Sequence, residues 1–295
     1  VPEAVSSDTL WDYTISFSYS AFMLIGGFAA GSVAAQIRAH VIVALDEARG
    51  LAKLEQDLSL ARTIQQGLLP KESPKIDGFD IGGWNKPADE TGGDYFDWQQ
   101  LADGRLAVTI ADVTGHGIGS AIGMADCRAY ARAGFATGTD LSRFLIHLNQ
   151  LLNDDLPPDK FVTLVAGLLN PKEATLDLIS AGHGPLLFYS SQEDRFTRHE
   201  PQGPPLGPFR GFPYSDPHTL NFIPGDILVL VTDGFVEWAN AGGEEFGQGR
   251  LEEVIRRCRD MSSERIISEL YSAVVRFVGS MPQFDDLTAL VVKRV

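Results

Sequence analysis

Leu106-Ala107-Val108-Thr109-Ile110-Ala111-Asp112-Val113-Thr114-Gly115-His116-Gly117-Ile118-Gly119 carries an apolar run into an aspartate and then into a glycine-rich turn. Residues 106–110 read as a strand, and residues 119–136, apolar at helical spacing, as the helix that follows. Asp112 therefore stands where the strand ends. There the chain turns rather than pairs, so the Val113 carbonyl can point at the same place. Three further stretches set aspartates at turns: Gly92-Gly93-Asp94-Tyr95-Phe96-Asp97, Thr232-Asp233-Gly234 after the apolar run 227–231, and Phe284-Asp285-Asp286-Leu287-Thr288 before the last strand candidate. A single Asp-Gly is a turn and no more. Four such aspartates in one domain would gather repelling carboxylates unless a cation offsets them, and oxygen donors suit a hard divalent ion such as Mg²⁺ or Mn²⁺. Asp89, Glu90, Asp97, Glu237 and Asp286 either join through water or are surface charges, the surface reading being preferred for Asp89 and Glu237.

Working outward, residues 79–84, 161–169, 174–180, 185–189 and 289–292 are further strand candidates, and residues 141–154, 249–259 and 263–278 are helix candidates. Short turns such as Asn170-Pro171-Lys172 and Ala102-Asp103-Gly104 join neighbouring strands. Paired strands with separate helix pairs predict an α+β fold, a layered sandwich of two mainly antiparallel sheets flanked by helices. His116 and His183 each lie between glycines; either is a candidate acid or base, or a turn residue bonding the backbone, and His116 is the stronger catalytic candidate.

Composition narrows the function. The net charge of −15, with no basic run longer than Arg256-Arg257, gives no electrostatic footprint for a nucleic-acid partner. No GxSxG elbow and no GxxxxGK[ST] loop occurs. Cys127 and Cys258 lack metal-ligand spacing and read as free core thiols. Residues 13–37 carry no formal charge, with acids before them and Arg38, His40, Arg49 and Lys53 after. That is a candidate membrane span that would leave the bulk of the chain in the cytoplasm, against a buried or dimer-forming helix. Leu51, Leu54, Leu58, Ala61, Gln65 and Leu68 then form a narrow helical seam, either packed on its own domain or pairing with a second copy in a coiled coil. The start at Val1 suggests a longer polypeptide.

In order, these motifs resemble a known family: Ala61-Arg62-Thr63-Ile64-Gln65-Gln66-Gly67-Leu68-Leu69-Pro70, the Asp94 and Asp112 stretches, Ser180-Ala181-Gly182-His183-Gly184-Pro185-Leu186, Pro205-Leu206-Gly207, Thr232-Asp233-Gly234 with Glu245-Phe246-Gly247, and Asp285-Asp286-Leu287-Thr288. The chain is similar over about residues 61–295 to the metal-dependent protein phosphatase (PPM) family, and within it to the bacterial stage II sporulation E-type, RsbU-like serine phosphatases. The resemblance implies an αββα sandwich with two Mn²⁺ or Mg²⁺ ions at one edge. Asp112 would bridge both ions and the Val113 carbonyl would bind one. Asp233 and Asp285 would hold the other, and Asp94 would ligate directly or through water, with Asp286 behind. A hydroxide bridging the metals would attack a phosphoserine or phosphothreonine, with Asp112 and Asp94 at the reaction; His116, the candidate from the Gly-His-Gly turn, completes the expected catalytic set, and the proton donor to the leaving group stays unassigned.

The implied organisation is an N-terminal segment at 1–37 with a candidate transmembrane helix, a helical linker at 38–70, and a phosphatase domain at 71–295. The implied substrate is a phosphorylated protein of the anti-sigma-factor antagonist type. Membrane anchoring and a homodimer through the N-terminal helix are further expectations. Two positions depart from the family: Thr114 stands where the eukaryotic branch has a His, and Ser180 where bacterial members often have Asn. The alternative function is a weak or inactive sandwich that passes on the state of an N-terminal sensor.

Overall fold

The computed structural model describes residues 7–138, 140–184 and 186–295, so Glu3 of the acidic flank and Pro185 of the glycine-histidine motif lie outside the described residues. In chain order the elements are α1 (Ser7–Leu68), β1 (Phe79–Lys86), β2 (Tyr95–Gln100), β3 (Leu106–Val113), α2 (Ile118–Ala136), α3 (Leu141–Asp155), β4 (Val162–Asn170), β5 (Thr175–Ala181), β6 (Leu186–Ser190), β7 (Arg195–His199), β8 (His218–Asn221), β9 (Ile227–Val231), α4 (Gly234–Glu237), α5 (Gly247–Cys258), α6 (Ser263–Val278) and β10 (Leu287–Arg294).

The strands form two five-stranded antiparallel sheets, one ordered β1-β10-β9-β6-β7 and the other β2-β3-β4-β5-β8. One buried cluster joins residues of both sheets, Ile110, Val165, Leu228 and Leu290 among them, to Met124 of α2 and Leu145 and Leu148 of α3. A second, built on Val229, Leu251, Ile266, Leu270 and Val291, packs α5 and α6 on the outer face of the first sheet. The central strands are apolar on both faces for this reason: Ile227–Val231 is buried at every position. Each large aliphatic so buried contributes roughly 1.5–3 kcal/mol of transfer free energy. The expected layered sandwich is therefore the architecture present.

Three strands escape a reading by pattern. β2 joins buried Tyr95 and Phe96 to polar Gln99 and Gln100, while β7 and β8 are short, mostly exposed strands at sheet edges. Edge strands need no apolar alternation. The β3 strand also runs on to Val113, so Asp112 pairs with Thr163 inside the ladder rather than beyond it.

The N-terminal half-division at residue 37 has no counterpart in secondary structure, because one helix runs from Ser7 to Leu68. The chain divides into two compact units after Leu58. The last turns of α1, expected in a linker at 38–70, thus belong with the sandwich, where Gln65 and Leu69 are buried. Within Trp11–Leu68 lies a stretch long and apolar enough, by length and composition, to cross a membrane.

Candidate active site

Topology brings the acidic motifs to one end of both sheets. In the second sheet Asp94 immediately precedes β2, and Asp112 lies at the end of the neighbouring β3, one position on from the Tyr95–Ala111 pair. In the first sheet Asp233 follows β9, and Asp285 and Asp286 precede the neighbouring β10. Thr232 fastens the two sheets: its hydroxyl donates to Asp94 Oδ2 at 2.7 Å, while its backbone N–H donates to the Thr288 carbonyl at 3.0 Å.

Asp286 forms the floor. It is buried; its Oδ1 accepts from the Ala88 N–H at 2.8 Å, and its Oδ2 from the Gly93 and Asp94 N–H groups at 2.7 and 3.2 Å. A carboxylate holding three backbone donors orders a loop strongly. Only glycines allow the approach, since a Cβ at Gly92 would overlap the Asp286 carboxylate and one at Gly93 would overlap the Val113 carbonyl. Gln65 completes the clamp from α1, donating to the Gly92 carbonyl at 2.6 Å and accepting from its N–H at 3.1 Å.

The remaining carboxylates grade from buried to exposed. Asp94 is 3% exposed, and its pKa is raised well above the ordinary range by burial, then by Asp112 and Asp286, against hydrogen bonds from Thr288 and Thr232. Asp112 is half-buried and pushed up to about 7, by burial first and then by Asp233, Asp285 and Asp286, with a hydrogen bond to Asp94 opposing. Asp285, more exposed, is raised by burial and by Asp233 and Asp286, opposed by the Asp286 N–H that its Oδ1 accepts at 2.8 Å and by the nearby His116. Asp233 is exposed at the start of α4, where its carbonyl accepts from the Val236 and Glu237 N–H groups.

Among the described residues no three acidic, imidazole or thiol side chains stand close enough together, as they are, to hold a metal ion. Asp94, Asp112 and Asp285 nevertheless lie near enough to neighbouring carboxylates, around an open bowl, for their pKa values to be raised. The donors are all oxygens, and the mutual repulsion is what a hard divalent cation relieves, so the residues present fit Mg²⁺ or Mn²⁺.

The two histidines differ. His116 is exposed, with Nδ1 2.9 Å from Asp89 Oδ2 beside the bowl. His183 is buried between the sheets, Nδ1 3.0 Å from Thr163 Oγ1 and Nε2 3.1 Å from the Val231 carbonyl, and burial pushes its pKa down to about 4. Ser180 turns inward and donates its hydroxyl to the His183 carbonyl. Thr114 is committed to the residue before β4: its hydroxyl donates to the Phe161 carbonyl at 3.2 Å and accepts from the Phe161 N–H at 3.0 Å. Asp97 does not join the bowl; it is buried under Arg128 and Arg132, at 3.1 and 2.6 Å.

Sequence reasoning missed Thr232 and Lys160, whose ammonium donates to the Thr114 carbonyl at 2.7 Å and steadies the turn after Asp112. Thr232 is adjacent to the aspartate in its own motif and could have been found there. Lys160 has no local signal.

Residues 102–295 match the family model described as stage II sporulation protein E (SpoIIE). The chain is 26% identical over 249 residues to phosphoserine phosphatase RsbU of Bacillus subtilis (strain 168), spanning 83% of this chain and 72% of that one. It spans only 43% and 46% of two other relatives, IcfG of Synechocystis and RsbP of Bacillus subtilis. Its fold matches the SiaA-PP2C domain of Pseudomonas aeruginosa with a TM-score of 0.72 and 21% identity, over 83% of this chain and 98% of the other. The RsbX structure, solved in complex with magnesium, matches with a TM-score of 0.57 and 15% identity, over 76% and 99% of the two chains.

Proposed function

The chain belongs to the stage II sporulation protein E family of PP2C-type phosphatases, and on that premise we propose that it hydrolyses phosphoserine or phosphothreonine on a partner protein in a metal-dependent reaction. The observation that carries this reading is the gathering of Asp94, Asp112, Asp233 and Asp285 at one end of two sheets, with Asp112 pushed up to about 7. Two Mn²⁺ or Mg²⁺ ions, held by these four side chains and the Val113 carbonyl, would lower the pKa of water and offset charge developing on the phosphoryl group.

The chain's own residues do the rest. Asp286 and Gln65 fix the Gly92-Gly93 loop so that Asp94 keeps its place beneath Asp112. Thr232 holds Asp94 against rotation. His116, its Nδ1 oriented by Asp89, is the imidazole at the mouth of the bowl and supplies the proton for the leaving serine oxygen. Thr114 cannot do so, because its hydroxyl is engaged with Phe161.

The similarity to RsbU supports a phosphorylated regulatory protein of the anti-sigma-factor antagonist type as substrate. The apolar stretch of α1 supports anchoring to the inner membrane with the phosphatase domain in the cytoplasm, and the leucine seam up to Leu58 supports a homodimer. Manganese-dependent phosphate release from a phosphoserine peptide and from an aryl phosphate tests the activity. Absence of metal-dependent turnover alongside calorimetric Mn²⁺ binding would transfer the reading to an inactive signalling scaffold. Recovery of the full chain in the soluble fraction would remove the anchor.

A further inference from the structure

Beside the bowl, between α4 and the loop before β10, lies a cleft of about 260 Å³ lined by Glu237, Trp238, Ala239, Met281, Phe284 and Asp285. It is smaller than the pockets that enclose whole ligands, and suits one long side chain. One wall is fixed: Trp238 packs on the α5–α6 cluster, its indole N–H donates to the Pro282 carbonyl at 3.0 Å, and its own carbonyl accepts from the Phe246 N–H at 3.1 Å. Met281 packs on the same cluster. The opposite side carries Phe284, which is 75% exposed although it adjoins Asp285.

The charge of the cleft selects its occupant. Glu237 lines it and Glu245 lies near enough to Glu237 to act on it, both apart from the proposed metal ligands, while among the described residues no lysine or arginine lines it. A second phosphate or an acidic side chain would be repelled there. A purely apolar side chain would strip water from the Glu237 carboxylate and return nothing. A lysine or arginine satisfies both demands, laying its aliphatic stem on Trp238, Met281 and Phe284 and its cationic head against Glu237.

We propose that this cleft is the subsite for a basic residue flanking the phosphorylated serine or threonine of the protein substrate. The assignment rests on the phosphatase reading and deepens it, making the acidic rim a device for choosing among phosphoproteins.

The test uses the full chain in detergent with Mn²⁺ and phosphoserine peptides that differ only in carrying Arg, Ala or Glu at each position within three residues of the phosphoserine. At one position the wild type is expected to favour Arg over Ala by about tenfold in kcat/KM, chiefly through KM. Glu237→Gln should bring that ratio towards one, Phe284→Ala should narrow it, and Glu237→Lys should shift the preference to the Glu peptide. Thermal melting checks that each variant folds. Equal rates on all peptides, or a preference for Ala or Glu, would overturn the subsite and leave the phosphatase reading standing. No turnover of any peptide or of an aryl phosphate would remove the phosphatase reading, and the subsite with it.

Discussion

The two walls of the acidic bowl are built on opposite plans. The second sheet presents Asp94 and Asp112 from within or beside its strands, buried or half-buried and braced by Thr232, Asp286 and the Gly92-Gly93 loop. The first sheet presents Asp233 and Asp285 from exposed ends, held by little beyond their own backbone turns. The difference teaches which side stores the electrostatic cost. Desolvation concentrates repulsion on the strand-borne pair, whereas water screens the loop-borne pair. Binding geometry should thus be set by the second sheet and adjusted by the first.

The sharpest way to break that contrast is Asp112→Asn. It should lower Mn²⁺-dependent turnover of an aryl phosphate by about 10³-fold or more, yet raise the melting temperature in chelator because a repelling charge is gone. Equal turnover would place the chemistry elsewhere. Next, Asp286→Ala would strand two buried N–H donors and one part-buried one and should cost about 3 kcal/mol in denaturant unfolding; a loss under about 1 kcal/mol would show that the floor is dispensable. On the exposed wall, Asp233→Asn and Asp285→Asn should each raise the Mn²⁺ concentration for half-maximal activity about 10–100-fold, with melting in chelator little changed. His116→Gln should slow turnover about tenfold or more, most of all for substrates with poor leaving groups, and an aryl phosphate should be spared.

The smallest effect is one of pH. Asp112 binds its proton more tightly folded than unfolded, so its contribution to stability is full below about pH 4 and is lost as the pH rises through about 7, and Asp94, raised by burial, acts in the same direction. Melting in chelator should therefore drop by a few degrees between pH 5 and pH 7.5 from this source, and saturating Mn²⁺ should reverse the trend. A flat profile in both conditions would show that the two walls do not differ in charge cost.

Much of this was legible in the chain. Apolar runs leading into aspartate mark β3 and β9, and paired strands with separate helix pairs point to the sandwich, because buried central strands must be apolar and turns must be glycine-rich. What stayed hidden depends on partners distant in sequence. Gln65 falls in a narrow helical seam of mostly apolar residues, and only its two bonds to Gly92 reveal a clamp. Asp97 shares a motif with Asp94, but strand alternation turns it to the opposite face, where two arginines on α2 neutralise it. Asp286 stands next to Asp285 and yet binds backbone. The identical Gly-His-Gly turns gave no sign that one imidazole would be exposed and the other enclosed.

That enclosed imidazole fixes its own tautomer. The Val231 carbonyl can only accept, so Nε2 of His183 carries the hydrogen, and Nδ1 takes the Thr163 hydroxyl proton. One bond ends on β9 of the first sheet and the other on β4 of the second, so the ring is a rivet through the sandwich. Its Nε2 hydrogen can meet solvent only when the sheets part, and its exchange with deuterium is a clock for the opening of the whole domain.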